Sequence, residues 1–384
     1  MVQTTQQRKP TRKQAYLDAL RGQQNDRLVW APNFDWWYSI NTNRGTVPDP
    51  YRGLSCNGII RAVRATIWRR VGVLQTHVDG VTTTTHQEDG VRTTVTHTPV
   101  GDLQTKRVQA SDFSNAWFLK EHAVKTLDDL APLSYLIEAT HYEPNYAPAI
   151  DTLREVGDDG VVLTCLPPVP YIQFAKTDVG YENAFYLMQD YPERVERIFK
   201  LYQDKFLEAY RVAAASPLEL ISNGDNMDCW TCPPKMFERH AIPYYHGVRE
   251  IVHAAGKICQ GHWCGRAEDL LHLVPDCGLD VIEAITPKPM TELDIEEALD
   301  ICQGKVVIQG GLPSVLMCHE GGTRDRLRAY LEDLLERVGH RPGFILGMGD
   351  NVPANADFHR VAMVSRMVNE YNRTRRPAKV GAAA

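Results

Sequence analysis

From about residue 150 the chain alternates between short apolar runs and stretches whose apolar positions recur at helical spacing. GVVLTCLPP (160–168), LELISNGDN (218–226), KICQGHWCG (257–265), LDVIEAITP (279–287), KVVIQGGLP (305–313) and GFILGMGDN (343–351) each read as a buried strand. Helical patterns follow them around 191–214, 234–255, 266–275, 292–302, 323–339 and 357–372. Strands joined in this way require parallel pairing with crossover helices. Earlier, RLVWAP (27–32) predicts one more short strand, and Thr11 is placed to cap a helix over 11–24. This succession fits a (β/α)8 TIM-type barrel better than an open sheet, and no Gly-rich dinucleotide fingerprint argues for the open sheet.

Residues 75–108 differ in texture. Thr and Val alternate with polar residues, and Asp-Gly turn signals recur at 79–80 and 89–90. They predict an antiparallel β-hairpin region inserted into a single barrel domain spanning 1–384.

Composition narrows the class. A chain of 384 residues that is 43% hydrophobic and 23% charged can build a substantial core. A net charge of −6 without a long basic run argues against nucleic-acid binding. The start MVQTTQQRKPTRKQAY has no apolar h-region, and no stretch approaches the length of a membrane span, so the expected location is cytoplasmic with no membrane contact. The nine cysteines are then expected as thiols, core residues or metal ligands rather than disulfides.

In such barrels the active site lies at the C-terminal ends of the strands. The polar clusters fall there: Asp35, Asp225 with Asn226, His262 with Cys264, Glu283, and Asp350 with Asn351. In QGHWCG, His262 and Cys264 are two residues apart and share one face of an extended strand. An imidazole nitrogen and a thiolate suit Zn²⁺, which takes three protein ligands and an open position at catalytic sites. The third ligand stays open between Glu283, Asp350, Cys318 and the Cys229/Cys232 pair. Asp225, Asn226 and Asp35 are candidate catalytic groups. Asp225 either orients substrate, holds the histidine in one tautomer, or serves as an Asx turn in the loop. Trp36, Trp37, Tyr38 and Tyr171 are candidates for the apolar wall of a substrate pocket, with Asn351 as a polar contact.

The succession NGDNMD, PKMFERHAIPYY (234–245), GHWCG, VIEAITPKP, VIQGGLP and FILGMGDNVP resembles the uroporphyrinogen decarboxylase superfamily, most densely over 218–370. The Thr/Val-rich stretch ending HTPVGDLQTK also resembles an insertion common in that group. The decarboxylases of the superfamily use no metal and grip a polycarboxylate with arginines after the first strand. Here WAPNFDWWYSIN stands in that place, with no arginine until Arg44. The zinc methyltransferases that work with corrinoid proteins are similar in carrying H-x-C after the fifth strand, matched by His262 and Cys264. Thiol-methylating members add a cysteine near the last strand, where Asp350 stands instead. A carboxylate leaves a harder, more Lewis-acidic zinc, suited to an ether oxygen.

The resemblance therefore implies a zinc-dependent methyltransferase acting with cobalamin carried on a corrinoid-binding partner protein. Its substrate would be a small methylated compound such as a methyl ether undergoing O-demethylation, and the enzyme a homodimer. The alternatives are a metal-free lyase acting on a small carboxylate, and a non-catalytic barrel that binds metal or a corrinoid protein.

Overall fold

The computed structural model describes residues 10–25, 27–111 and 115–374. Seven parallel strands pair in the order Ile67–Arg70, Gly160–Leu166, Leu220–Asn223, Ile258–His262, Val281–Ile285, Val307–Leu312 and Phe344–Met348. Residues 29–31 close the ring. The Ala31 N–H donates to the Leu346 carbonyl at 3.1 Å and the Leu346 N–H to Val29 at 3.0 Å, while the Thr66 N–H donates to Trp30 at 2.8 Å on the other side. Counted from 29–31, these are the eight strands of the barrel. The sequence pattern missed the second, Ile67–Arg70, because four residues ending in two arginines leave too little alternation to register.

Alternation along each strand sorts the side chains into two cores. Val29, Ala31, Trp68, Val161, Leu163, Leu220, Ile258, Val281, Val307 and Ile345 fill the barrel interior. The helix Arg12–Leu20, capped by Thr11 as expected, packs Ala15, Tyr16, Leu17, Ala19 and Leu20 onto the same cluster. It closes the end of the barrel where the strands begin. The larger core lies between the strands and the outer helices and includes Trp30, Ile67, Ile221, Cys259, Ile282, Ile308 and Leu346.

The crossover helices Pro192–Ala214, Ile295–Cys302, Arg324–Val338 and Phe358–Thr374 stand where the pattern put them. Three segments differ. After the fifth strand, Glu268–Asp276 is a 3₁₀ helix, with Pro275 inside it removing a backbone donor. The helices after the third and fourth strands include π-type turns at Gln173–Val179 and Phe237–Ala241.

The insertion is longer than 75–108. Thr82–Glu88, Val91–Thr98, Gly101–Gln109 and Trp117–Glu121 form a four-stranded antiparallel sheet, and Leu74–Val78 pairs separately with Thr140–Pro144. Asp89 and Gly90 carry φ of 47° and 73°, the left-handed pair that a two-residue hairpin turn requires. Among the described residues no helix is long and apolar enough to cross a membrane.

Candidate metal centre at the barrel mouth

The fifth strand ends on His262, in register with Glu283 of the sixth. Immediately after Glu283 the sixth strand bulges: its pairing with the seventh shifts between Glu283 and Ile285, and Ala284 takes a φ of 69°. Room for the bulge comes from Gly310, where a Cβ would lie 2.2 Å from the Ile285 carbonyl oxygen. Bulges of this kind re-aim side chains next to functional sites. Here Glu283 points inward, only 3% exposed, and its Oε2 accepts from Nδ1 of His262 at 2.6 Å. The carboxylate thus fixes the ring's orientation and turns Nε2 toward the mouth.

Nε2 of His262 lies 3.6 Å from Oδ1 of Asp350, in the loop after the eighth strand. Asp350 has a φ of 92°, a left-handed conformation costly for a residue with a Cβ. The loop is pinned around it. The Asn351 amide donates to Asp350 Oδ1 at 2.7 Å, Ser314 Oγ donates to the Gly349 carbonyl at 2.7 Å, and the Gly349 N–H to Leu312 at 2.8 Å. Cys264, half-buried, completes the cluster. One nitrogen of His262, Sγ of Cys264 and one carboxylate oxygen of Asp350 all lie within 4.8 Å of one another. Among the described residues this is the only such group of three.

The donor set fits zinc. One imidazole nitrogen, one sulfur and one carboxylate oxygen match the three-ligand catalytic pattern, with bond lengths of about 2.0–2.3 Å reachable by small movements from this spacing. The Asp350 side chain is 45% exposed, so the centre opens toward the mouth. Burial opposes charge on His262, but Glu283 and Cys264 outweigh it and push the ring's pKa well above the usual histidine value. A metal ion at Nε2 would compete with a proton for that nitrogen.

Of the four options left open for the third ligand, geometry brings Asp350 alone to His262 and Cys264. Glu283 occupies the other face of the ring. Cys318 is buried, with Sγ 3.3 Å from Oδ1 of Asn355, and Cys229 and Cys232 are buried away from the cluster.

Asp225 does not hold the histidine. It is fully buried, with Oδ1 accepting from the Val169 N–H at 2.7 Å and Oδ2 from the Tyr245 hydroxyl. Burial, partly offset by those two hydrogen bonds, raises its pKa to about 6. Its place is to tie the loops after the third and fourth strands together. Asn226 beside it is exposed, with a φ of 51°.

Asp35 begins the helix Asp35–Arg44, where Arg69 holds it at close range and Arg70 lies 3.9 Å away. The sequence showed no cation after the first strand. The second strand supplies two.

The aromatic wall divides. Trp37 is core, 5.1 Å from the Phe358 ring centre. Tyr171 is buried, stacked on His240 and donating to the Thr231 carbonyl at 2.7 Å, so it is packing rather than open wall. Tyr38 is half-buried with its hydroxyl 3.3 Å from the Leu54 carbonyl, and Trp36 is half-buried.

Three groups escaped the sequence reading. Tyr16 of the floor helix donates to Oε1 of Gln309 at 2.7 Å; burial first and then Glu283 raise its pKa well above the usual tyrosine value. Arg70 and Cys165 face the mouth, each two residues beyond an interior side chain, Trp68 and Leu163. That spacing was the available signal, and for Arg70 it needed the second strand to be recognised first.

A family model described as Uroporphyrinogen decarboxylase (URO-D) matches residues 124–371, more than half of the chain. No curated protein matches the sequence. In structure the chain is similar to a methyltransferase from Methanosarcina mazei, at 12% identity and a TM-score of 0.61, covering 94% of this chain and 99% of that one. At that identity the likeness shows the shared fold. The Bacillus subtilis YkuI protein, which has an EAL domain, is also 12% identical, over 77% of this chain and 62% of that one, but its TM-score of 0.27 carries no argument. A closed eight-stranded barrel with its polar groups gathered at the strand ends, matched by that model from residue 124 to 371, makes this chain a member of the uroporphyrinogen decarboxylase family.

Proposed function

We propose that the protein is a zinc-dependent methyltransferase that moves a methyl group from a small methyl ether to a corrinoid carried on a partner protein. The observation that carries the reading is the convergence of His262, Cys264 and Asp350, with Glu283 behind the histidine. The structural likeness to the Methanosarcina mazei methyltransferase agrees with it.

Each residue has a definite task. Glu283 keeps the proton of His262 on Nδ1, leaving Nε2 as a ligand. Cys264 and Asp350 supply one soft and one hard donor, and the carboxylate keeps the site more electrophilic than a second thiolate would. Zinc held there would polarise the ether oxygen and so ease the departure of an alkoxide or phenolate. Asn351 holds Asp350 in its strained conformation, and Asp225 fixes the rim of the mouth. The methyl acceptor approaches from that open side, because the floor helix seals the other.

A metal-free lyase acting on a carboxylate is the second reading, favoured by the arginine pair beside Asp35. Metal analysis separates the two. The expected result is one zinc per chain in purified protein, lost in the His262→Ala, Cys264→Ala double variant together with methyl transfer to a cobalt(I) corrinoid. Zinc-free protein with full activity after chelation would sink the methyltransferase reading.

A further inference from the structure

On the outside of the barrel, the turn after the helix Cys56–Ala62 meets the last helix, Phe358–Thr374. Asn369 makes the join, its amide donating to the Ser365 carbonyl at 2.6 Å and to the Arg64 carbonyl at 3.4 Å. A cavity of about 670 Å³ opens along this seam. Arg64 stands three residues before the strand Ile67–Arg70, so the cavity lies toward the end where the strands begin, away from the metal cluster.

Its polar lining is Arg64, Arg366, Asn369, Glu370 and Arg373, and Tyr51 forms an aromatic wall. The four groups of the last helix recur at i, i+3, i+4 and i+7, which puts them on one face. Arg373 meets Glu370 at 3.3 Å. Among the described residues neither Arg64 nor Arg366 has a carboxylate at ion-pair distance. Three guanidiniums against one carboxylate leave two net positive charges around one cavity, on a chain whose own charge is −6.

Arg64 carries the second observation. Its N–H donates to the Arg61 carbonyl at 2.9 Å and the Ala65 N–H to Ile60 at 3.1 Å, the pair of bonds that closes a helix through a left-handed residue. Arg64 is that residue, with a φ of 61°. Glycine usually fills such a position, because a Cβ makes the conformation costly. Here an exposed arginine fills it, and its side chain lines the cavity instead of packing into the core.

We propose that this cavity binds a nucleoside diphosphate. The forked guanidiniums of Arg64 and Arg366 match phosphate oxygens in bidentate pairs, and two net positive charges answer two phosphate groups. The volume falls in the range of about 300–1,000 Å³ typical of small-molecule sites, far more than inorganic phosphate fills. Tyr51, fixed by Phe358 at 4.4 Å between ring centres, offers a base a flat apolar wall. The site stands independently of the methyl-transfer reading.

The test is calorimetric titration of the full chain with ADP, GDP, CDP and UDP, each against its nucleoside and against pyrophosphate. It is run in about 0.15 M salt, where diffuse attraction to a charged surface is screened. At least one diphosphate should bind about tenfold or more tightly than both its nucleoside and pyrophosphate. Arg64→Gly should weaken that binding about tenfold, the loss of one charge-assisted pair. The same variant should melt about 1–2 °C higher than wild type without ligand, since glycine takes the 61° φ freely. Arg366→Gln should weaken binding alike with no gain in melting temperature. The proposal is overturned if no diphosphate outbinds its nucleoside and pyrophosphate, or if both variants bind as wild type does. A lower melting temperature in Arg64→Gly with binding intact assigns the arginine to the helix end and overturns it as well.

Discussion

Glu283→Gln isolates the charge behind the histidine. Gln has nearly the same volume and still offers an oxygen to Nδ1, so the 3%-exposed site is neither emptied nor left without an acceptor. What disappears is the negative charge. A hydrogen bond to a charged group contributes about 1.5–3 kcal/mol and a neutral one about 0.5–1.5, so the loss is about 1–2 kcal/mol. That corresponds to about one pH unit in the His262 titration. For zinc it corresponds to about tenfold in affinity, the low end of the effect expected from removing a ligand's orienting partner.

The direction with pH follows from the raised histidine pKa. The protonated ring stabilises the metal-free fold fully below the ordinary histidine pKa of about 6.5, and this contribution fades as pH rises through the raised value. Glu283→Gln should therefore destabilise the metal-free protein most below about pH 6.5 and converge on wild type as pH rises through the raised histidine value. Nitrogen-edited NMR of the histidine and chelator competition for zinc read the two quantities separately. A histidine titration identical to wild type, or zinc affinity unchanged within about twofold against the expected tenfold, refutes the assignment of Glu283.

Other perturbations probe different parts of the mouth. Asp350→Gly should remove zinc binding yet raise the melting temperature of the metal-free protein, because glycine tolerates the 92° φ without the strain of about 1–3 kcal/mol; a variant that keeps zinc contradicts the ligand assignment. Asp225 binds its proton more tightly folded than unfolded, so wild type should lose up to about 3 kcal/mol of stability as pH rises from about 4 to 6, and Asp225→Asn should flatten that slope in urea titrations. Gly310→Ala should collapse the bulge after Glu283 and destabilise the fold by more than about 3 kcal/mol, read as a lower urea midpoint, since its Cβ meets the Ile285 oxygen at 2.2 Å. Arg360, 2% exposed, donates to the carbonyls of Leu316, Cys318 and Gly322 in the loop after the seventh strand. Arg360→Met leaves three acceptors unpaired and should cost about 3 kcal/mol or more, seen in thermal melts.

Strand ends were legible because long parallel strands advertise themselves as apolar runs. His262, Cys264 and Asp350 could be placed at one mouth from that periodicity. The choice between Glu283 and Asp350 was not legible, because it depends on a one-residue bulge that no local propensity announces. Nor was the arginine pair. Ile67–Arg70 is a strand by virtue of its neighbours, residues 29–31 and Gly160–Leu166, and such non-local pairing leaves no trace in four residues. Trp37 and Tyr171 show the opposite failure. Their aromatic character suggested a pocket wall, yet large rings are first of all core material.

The helix Arg12–Leu20 leaves the barrel with a single door. In the proposed reaction, substrate and methyl acceptor use the same opening and cannot pass through from opposite sides. The order of events is then imposed by architecture: the small molecule enters first, the acceptor protein closes over it, and the demethylated product waits until the acceptor has left. An excess of acceptor should consequently slow turnover rather than speed it, and a barrel without its floor helix would lose that ordering along with its core.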